Sequence, residues 1–180
     1  MPSLSRQSGV SLIESLVATT VLAIGILCLL AVQIHTLAQT QTSVHRAQAV
    51  RAIEDLAERV KANPDGFGQL RSGAYNSPWD ATSDAASDAC EANACSPTEL
   101  ALADIAQWRK TITRSLPLGQ ANVFTEASVA AADRRQLGVM VGWRANERSG
   151  DGASPFDLKV DAAGVACPTG LICHLVYVQP

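Results

Sequence analysis

Basic clusters, paired histidines and catalytic signatures are all scarce in this chain, and each scarcity removes a class of function. The 14 Lys and Arg among 180 residues are scattered and the formal net charge is -3. Phosphate neutralisation on the scale that nucleic-acid affinity requires is missing, so no specific nucleic-acid partner is expected. Of the 3 histidines, His35 and His45 fall on one helical pattern about 80° apart in rotation and about 15 Å apart along the axis, too far to share a metal. There is no nucleophile elbow, no histidine cluster and no glycine-rich phosphate loop. Cys173 beside His174 is the one thiol next to a base, and neighbours on a strand point to opposite faces. Asp80, Asp84 and Asp88 are spaced by four, unlike the alternating ligands and central glycine of a calcium loop. No enzymatic activity, catalytic residue, cofactor or metal is therefore expected.

Charge is also absent from residues 15–34, where only Ser15, Thr19, Thr20 and Gln33 are clearly polar. As a helix this stretch spans roughly 30 Å, the thickness of a bilayer's hydrocarbon core. Glu14 stands at its mouth, where a carboxylate at bilayer depth costs about 2–4 kcal/mol unless it finds a partner. A secretory signal cut after Ala38 fits poorly, because the apolar run is longer than an ordinary h-region and begins beside an acid. A plain uncleaved anchor explains the length of the run but not the residues before it.

Those residues, Gly9-Val10-Ser11-Leu12-Ile13-Glu14, resemble the prepilin processing motif: glycine, an apolar residue, a small polar residue, two aliphatics and glutamate. The resemblance implies that a prepilin peptidase cuts between Gly9 and Val10 and N-methylates Val10. It also implies that Glu14 serves assembly, meeting the terminal amine of a neighbouring subunit in the filament. Val10 stands where phenylalanine is commonest in the family. Ala31 stands where many major pilins carry a helix-breaking proline, which points to a subunit other than the major one and to a helix continuous through Gly25.

Beyond Ile34 the apolar pattern becomes periodic, with Leu37, Val44, Val50, Ile53, Leu56, Ala57 and Val60 expected to lay one helical face on a domain. Asn63-Pro64-Asp65-Gly66 is a stop signal, placing the helix over about residues 10–62, roughly 80 Å. Residues 65–94 read as a polar, acidic loop carrying Tyr75 and Trp79. Ser96-Pro97-Thr98-Glu99 is a helix start with a capping box, and Leu100, Ala101, Ile105, Trp108 and Ile112 are expected to face inward as far as about Arg114. Segments 121–129, 136–145 and 171–179 suit strands, with 156–160 a possible fourth, and their proximity in sequence favours an antiparallel sheet. Trp108 and Trp143 lie at core spacing and are read as structural.

The expected class is α+β and pilin-like: a long N-terminal membrane-spanning helix packed on a small antiparallel sheet, with one further short helix. The expected divisions are a leader, 1–9, a membrane and filament-core helix, 10–34, an amphipathic continuation, 35–63, and a globular domain, 64–180.

Of 5 cysteines, Cys28 lies in the apolar run and is read as a small apolar side chain. The remaining even number, Cys90, Cys95, Cys167 and Cys173, indicates disulfides and an oxidising compartment. Local pairing of Cys90 with Cys95 and of Cys167 with Cys173 is preferred; crossed pairing and a four-cysteine zinc site stay open. By resemblance, the last pair corresponds to the disulfide-bounded region near the C-terminus of pilins.

Asp104-Ile105-Ala106-Gln107-Trp108-Arg109, Leu116-Pro117-Leu118-Gly119 and Val139-Met140-Val141-Gly142-Trp143 together resemble minor pilins of the PilV type. That resemblance implies a single-pass inner-membrane protein with a periplasmic domain, later part of a pilus at the cell surface. Its implied partners are the prepilin peptidase, the major pilin, other minor pilins and the inner-membrane assembly platform. A pseudopilin of type II secretion is the nearest alternative. A filament-displayed adhesin or DNA-uptake module, using the loop 75–93, is an alternative of another class.

Overall fold

The computed structural model describes residues 11–81, 90, 94–144, 159–160 and 164–180. Two compact units divide at residue 40, with residues 41–180 forming the larger one. The first helix, α1 (Leu12–Ala62), contributes to both and runs through Gly25 without interruption. Its start is local, for the Glu14 N–H lies 3.3 Å from Ser11 Oγ and 3.0 Å from Ser11 O. The acid at Glu14 in the first turn and the bases Arg59 and Lys61 in the last complement the helix dipole.

Three threonines in the apolar half bond to the preceding turn. Thr19 Oγ1 donates to Ser15 O and Leu16 O at 3.0 Å each, Thr20 Oγ1 donates to Leu16 O, and Thr36 Oγ1 donates to Val32 O at 2.9 Å. A hydroxyl that bonds the preceding turn can enter an apolar medium without an orphaned donor.

Helix α1 ends at Asn63, a buried side chain used from both ends. Its amide donates to Tyr75 Oη at 3.1 Å and to Pro97 O at 2.8 Å, while its Oδ1 accepts the Asp65 N–H at 3.0 Å. A short helix, α2 (Gly66–Ser72), follows directly and ends at Gly73, whose φ of 81° closes the turn. The next helix, α3 (Pro97–Ser115), has the full capping box: the Glu99 N–H donates to Ser96 Oγ and the Ser96 N–H to Glu99 Oε2 at 2.9 Å.

Strands β1 (Gln120–Phe124), β2 (Leu137–Arg144) and β5 (Leu171–Val178) form one antiparallel sheet in the order β1-β2-β5. Between the last two lies a small hairpin of β3 (Lys159–Val160) and β4 (Val165–Ala166). On α1, Ala49, Ile53, Leu56 and Val60 recur at helical spacing and enter the core. There they join Leu70, Tyr75, Trp108 and Ile112, and the inward series Leu137, Val139, Val141 and Trp143 of β2. Each such aliphatic side chain contributes about 1.5–3 kcal/mol on burial.

Several expectations are corrected. Leu37 and Val44, expected on the buried face, are 64% and 47% exposed, and Ala49 takes the first core position instead. The region after residue 65 is not one loop: it holds α2, a fully buried Tyr75 and a bridge between Ser77 and Val123. A second helix therefore joins the single short helix anticipated. The first strand ends at Phe124 rather than 129, and Leu100 is only half-buried. Of the segment 156–160, only 159–160 lies among the described residues, where it forms β3.

Candidate functional site

Two places on the chain carry candidate functional residues. The first is the apolar half of α1. Leu12, Ile13, Leu16, Val17, Val21 and Leu22 are all exposed, as are the large apolar side chains onward to Ile34. An 18-residue window of this helix averages a hydropathy of 2.5 with none of it buried, long and apolar enough to cross a membrane. Glu14 lies in its first turn, exposed. Gly9 and Val10 lie outside the described residues. Cys28 is a free, exposed cysteine on the same helix.

The second place is the part of the sheet beside the Cys167–Cys173 disulfide. Cys90 is bonded to Cys95, and Cys167 to Cys173. Among the described residues no group of three or more His, Cys, Asp and Glu could hold a metal. Asp84, Asp88 and Glu91 of the acidic stretch lie outside the described residues. Cys173 Sγ lies beside Gly142 on one face of the sheet. His174, in step with Ile172 and Val176, which pack against the core, takes the other face. The sulfur and the imidazole are therefore not brought together.

Arg109 organises this part. Its Nη1 donates to Ser77 Oγ and Pro78 O at 3.0 Å and to Ala121 O at 2.6 Å, and its Nη2 donates to Trp79 O at 3.0 Å. Burial lowers the pKa of this guanidinium, with Asp80 opposing the shift. Trp79 in turn donates its indole N–H to Ala166 O at 3.0 Å. Sequence reasoning gave Arg109 no role, and nothing in a sequence could: its partners are mostly backbone carbonyls. An arginine next to Trp108, on the helical side that supplies Ile105 and Ile112, is the only trace.

The globular domain is also tied by charge. Arg59 on α1 pairs with Asp55 at 2.9 Å and with Asp104 of α3 at 3.3 Å, and donates to Gln107 Oε1 at 3.0 Å. Burial alone would lower the Arg59 pKa, but the hydrogen bonds and charges of Asp55 and Asp104 outweigh it and hold the group above its ordinary value. Burial lifts the Asp104 carboxyl, and Arg59 only partly pulls it back. These are structural ties with no reacting atom beside them.

A family model described as Tt1218-like, type IV pilin Tt1218, matches residues 31–106. The match supports a type IV pilin. This pilin-like segment begins in the apolar half of α1, takes in the core-forming half and α2, and ends inside α3. The α+β arrangement of a long N-terminal helix, a small antiparallel sheet and further helices is consistent with a pilin fold. One long apolar N-terminal helix fits a membrane-anchored pilin, and the type IV pilin family is structural and non-enzymatic. No curated protein and no solved structure matches the chain significantly.

Proposed function

We propose that the chain is a minor pilin of the PilV type. It is held in the inner membrane by residues 15–34, with its globular domain in the periplasm. There it joins other minor pilins and the major pilin at the assembly platform, helps to initiate the filament and is incorporated into it at the cell surface. Adhesion and twitching motility are the activities it serves. The observation that carries this reading is the division of labour along α1, whose first half exposes apolar side chains while Ala49, Ile53, Leu56 and Val60 enter a domain core.

In this reading a prepilin peptidase removes residues 1–9 by cutting between Gly9 and Val10, then methylates the Val10 amine. Glu14, four residues on, meets the amine of a neighbouring subunit. An acid that would otherwise be costly at bilayer depth thereby gains a partner of opposite charge. The family match, the exposed Glu14 and the two disulfides support the reading.

Mass spectrometry of the mature N-terminus tests it. A methylated Val10 is the expected result, and a chain beginning after Ala38 would overturn the reading. Glu14→Ala should insert in the membrane yet stay out of filaments, and normal incorporation of that variant would count against the assembly role. Deletion should abolish piliation or twitching; loss of secreted enzymes instead would assign the chain to type II secretion.

A further inference from the structure

Residues 77–81 lie beside the edge strand β1, where Ser77 pairs with Val123, and are attached by two independent sets of contacts. On the α3 side Arg109 holds Ser77, Pro78 and Trp79 as described, and Ser77 and Val123 exchange backbone hydrogen bonds of 2.8 and 2.9 Å. On the other side the Trp79 indole N–H donates to Ala166 O at 3.0 Å, one residue before Cys167. Ala166 belongs to β4, which pairs with the two-residue β3. The Cys167–Cys173 disulfide ties it covalently to β5, across a turn that also holds the Leu171 N–H to Pro168 O bond of 3.2 Å. The ring and the disulfide also share one spot on the sheet. A Cβ on Gly142 would lie 3.1 Å from Cys173 Sγ and 3.6 Å from Trp79 Cη2. Trp79 also lines a cavity of about 590 Å³, with Arg109, Leu118, Gln120, Thr169 and Leu171 among its other walls.

We propose that residues 77–81 are a strap that sets Trp79 as one wall of this cavity and whose Trp79 contact depends on the Cys167–Cys173 disulfide, giving the domain a thiol-sensitive latch. The proposal concerns the globular domain alone and stands whatever the filament role. An external dithiol breaks the S–S bond: two electrons and two protons pass to the cysteines, which become thiols, and the reductant leaves as its cyclic disulfide. The turn before β5 then keeps only its Leu171 N–H to Pro168 O bond, Ala166 O leaves the indole, and the Trp79 ring swings from Gly142. The strap backbone stays on Arg109, which still holds Trp79 O, and the Trp79 indole is what opens.

The test uses the full chain in detergent micelles, comparing Cys167→Ala/Cys173→Ala with Cys90→Ala/Cys95→Ala by hydrogen exchange and tryptophan emission. In the first variant, exchange of the Trp79 indole N–H should rise at least about tenfold while the amides of Val139 and Val141 in β2 stay protected. Emission should shift to the red, and the shift should vanish in a Trp79→Phe background. The second variant should leave the strap as it is. Unchanged indole exchange in the first variant, an equal rise in both, or a rise shared with β2 would each overturn the latch. If the alanine variants do not fold, brief dithiol reduction of the parent with alkylation mapping supplies the same comparison.

Discussion

The indole N–H of Trp108 donates to the carbonyl of Ala52 at 2.6 Å, joining α3 to α1 inside the core. The ring is fully buried. The Ala52 carbonyl sits within a helix, and an oxygen with two lone pairs accommodates a second donor. Trp108→Phe removes that donor and part of the ring, so a loss of about 1–2 kcal/mol is expected. Trp108→Ala should lose about 3–5 kcal/mol. Denaturant titration of the full chain in detergent reads both, and parental stability of the phenylalanine variant would show that the bond contributes nothing net.

His174 sets an acid sensitivity. Burial lowers its pKa, and the positive charge of Arg46 lowers it further. Because the folded-state value is depressed, the unfolded chain takes up the proton first. The stability linked to His174 is full above its ordinary value of 6.5 and is lost as pH falls below 6.5 toward the folded value. His174→Gln should flatten this part of the stability profile, and Arg46→Gln should raise the imidazole titration midpoint in an NMR titration. A midpoint unmoved by Arg46→Gln would remove Arg46 as a cause.

Gly138 on β2 stands opposite both Phe124 of β1 and Tyr177 of β5. The two rings meet edge to face with centroids 6.1 Å apart. A Cβ at Gly138 would overlap the Phe124 ring. Gly138→Val is therefore expected to lose about 1–3 kcal/mol through overpacking. Combining it with Phe124→Ala should recover part of that loss, visible as a coupling term in a double-mutant cycle; strict additivity would contradict the packing account.

Leu118 has a φ of 52°, the one positive value among the described non-glycine residues. It follows Pro117 in a turn closed by the Gly119 N–H to Leu116 O bond of 3.0 Å, and is 61% exposed. A branched side chain there is strained and gains little from burial, so Leu118→Gly should stabilise the domain by about 0.5–1 kcal/mol. A thermal melt of the variant checks this, and a lowered midpoint would mean that the leucine makes a compensating contact.

Legibility in the sequence follows the range of the interaction. The Ser96–Glu99 capping box spans three residues and uses side chains with known roles, so both its bonds are found where the pattern places them. Helix α2 was hidden because Gly66-Phe67-Gly68 carries two poor helix formers. It forms where Leu70 enters the core and Asp65 accepts from the Gln69 amide at 2.9 Å. Tyr75 reads as a loop aromatic until Asn63, 12 residues earlier, is seen to donate to its hydroxyl. Leu37 and Val44 keep the helical period yet remain exposed, because a period marks a face and not what covers it.

By itself the sequence determined the apolar stretch of α1, the stop after Ala62, the start of α3 and the strands of the sheet, since each depends on periodicity and on caps within a few residues. Only the tertiary structure decided that Arg109 would spend its donors on Ser77, Pro78, Trp79 and Ala121, and that Trp79 would reach Ala166, 87 residues away. The physical reason is that the acceptors are mostly backbone carbonyls, which every residue carries alike. Folding chooses among them by position, and position is what a sequence pattern of short range does not contain.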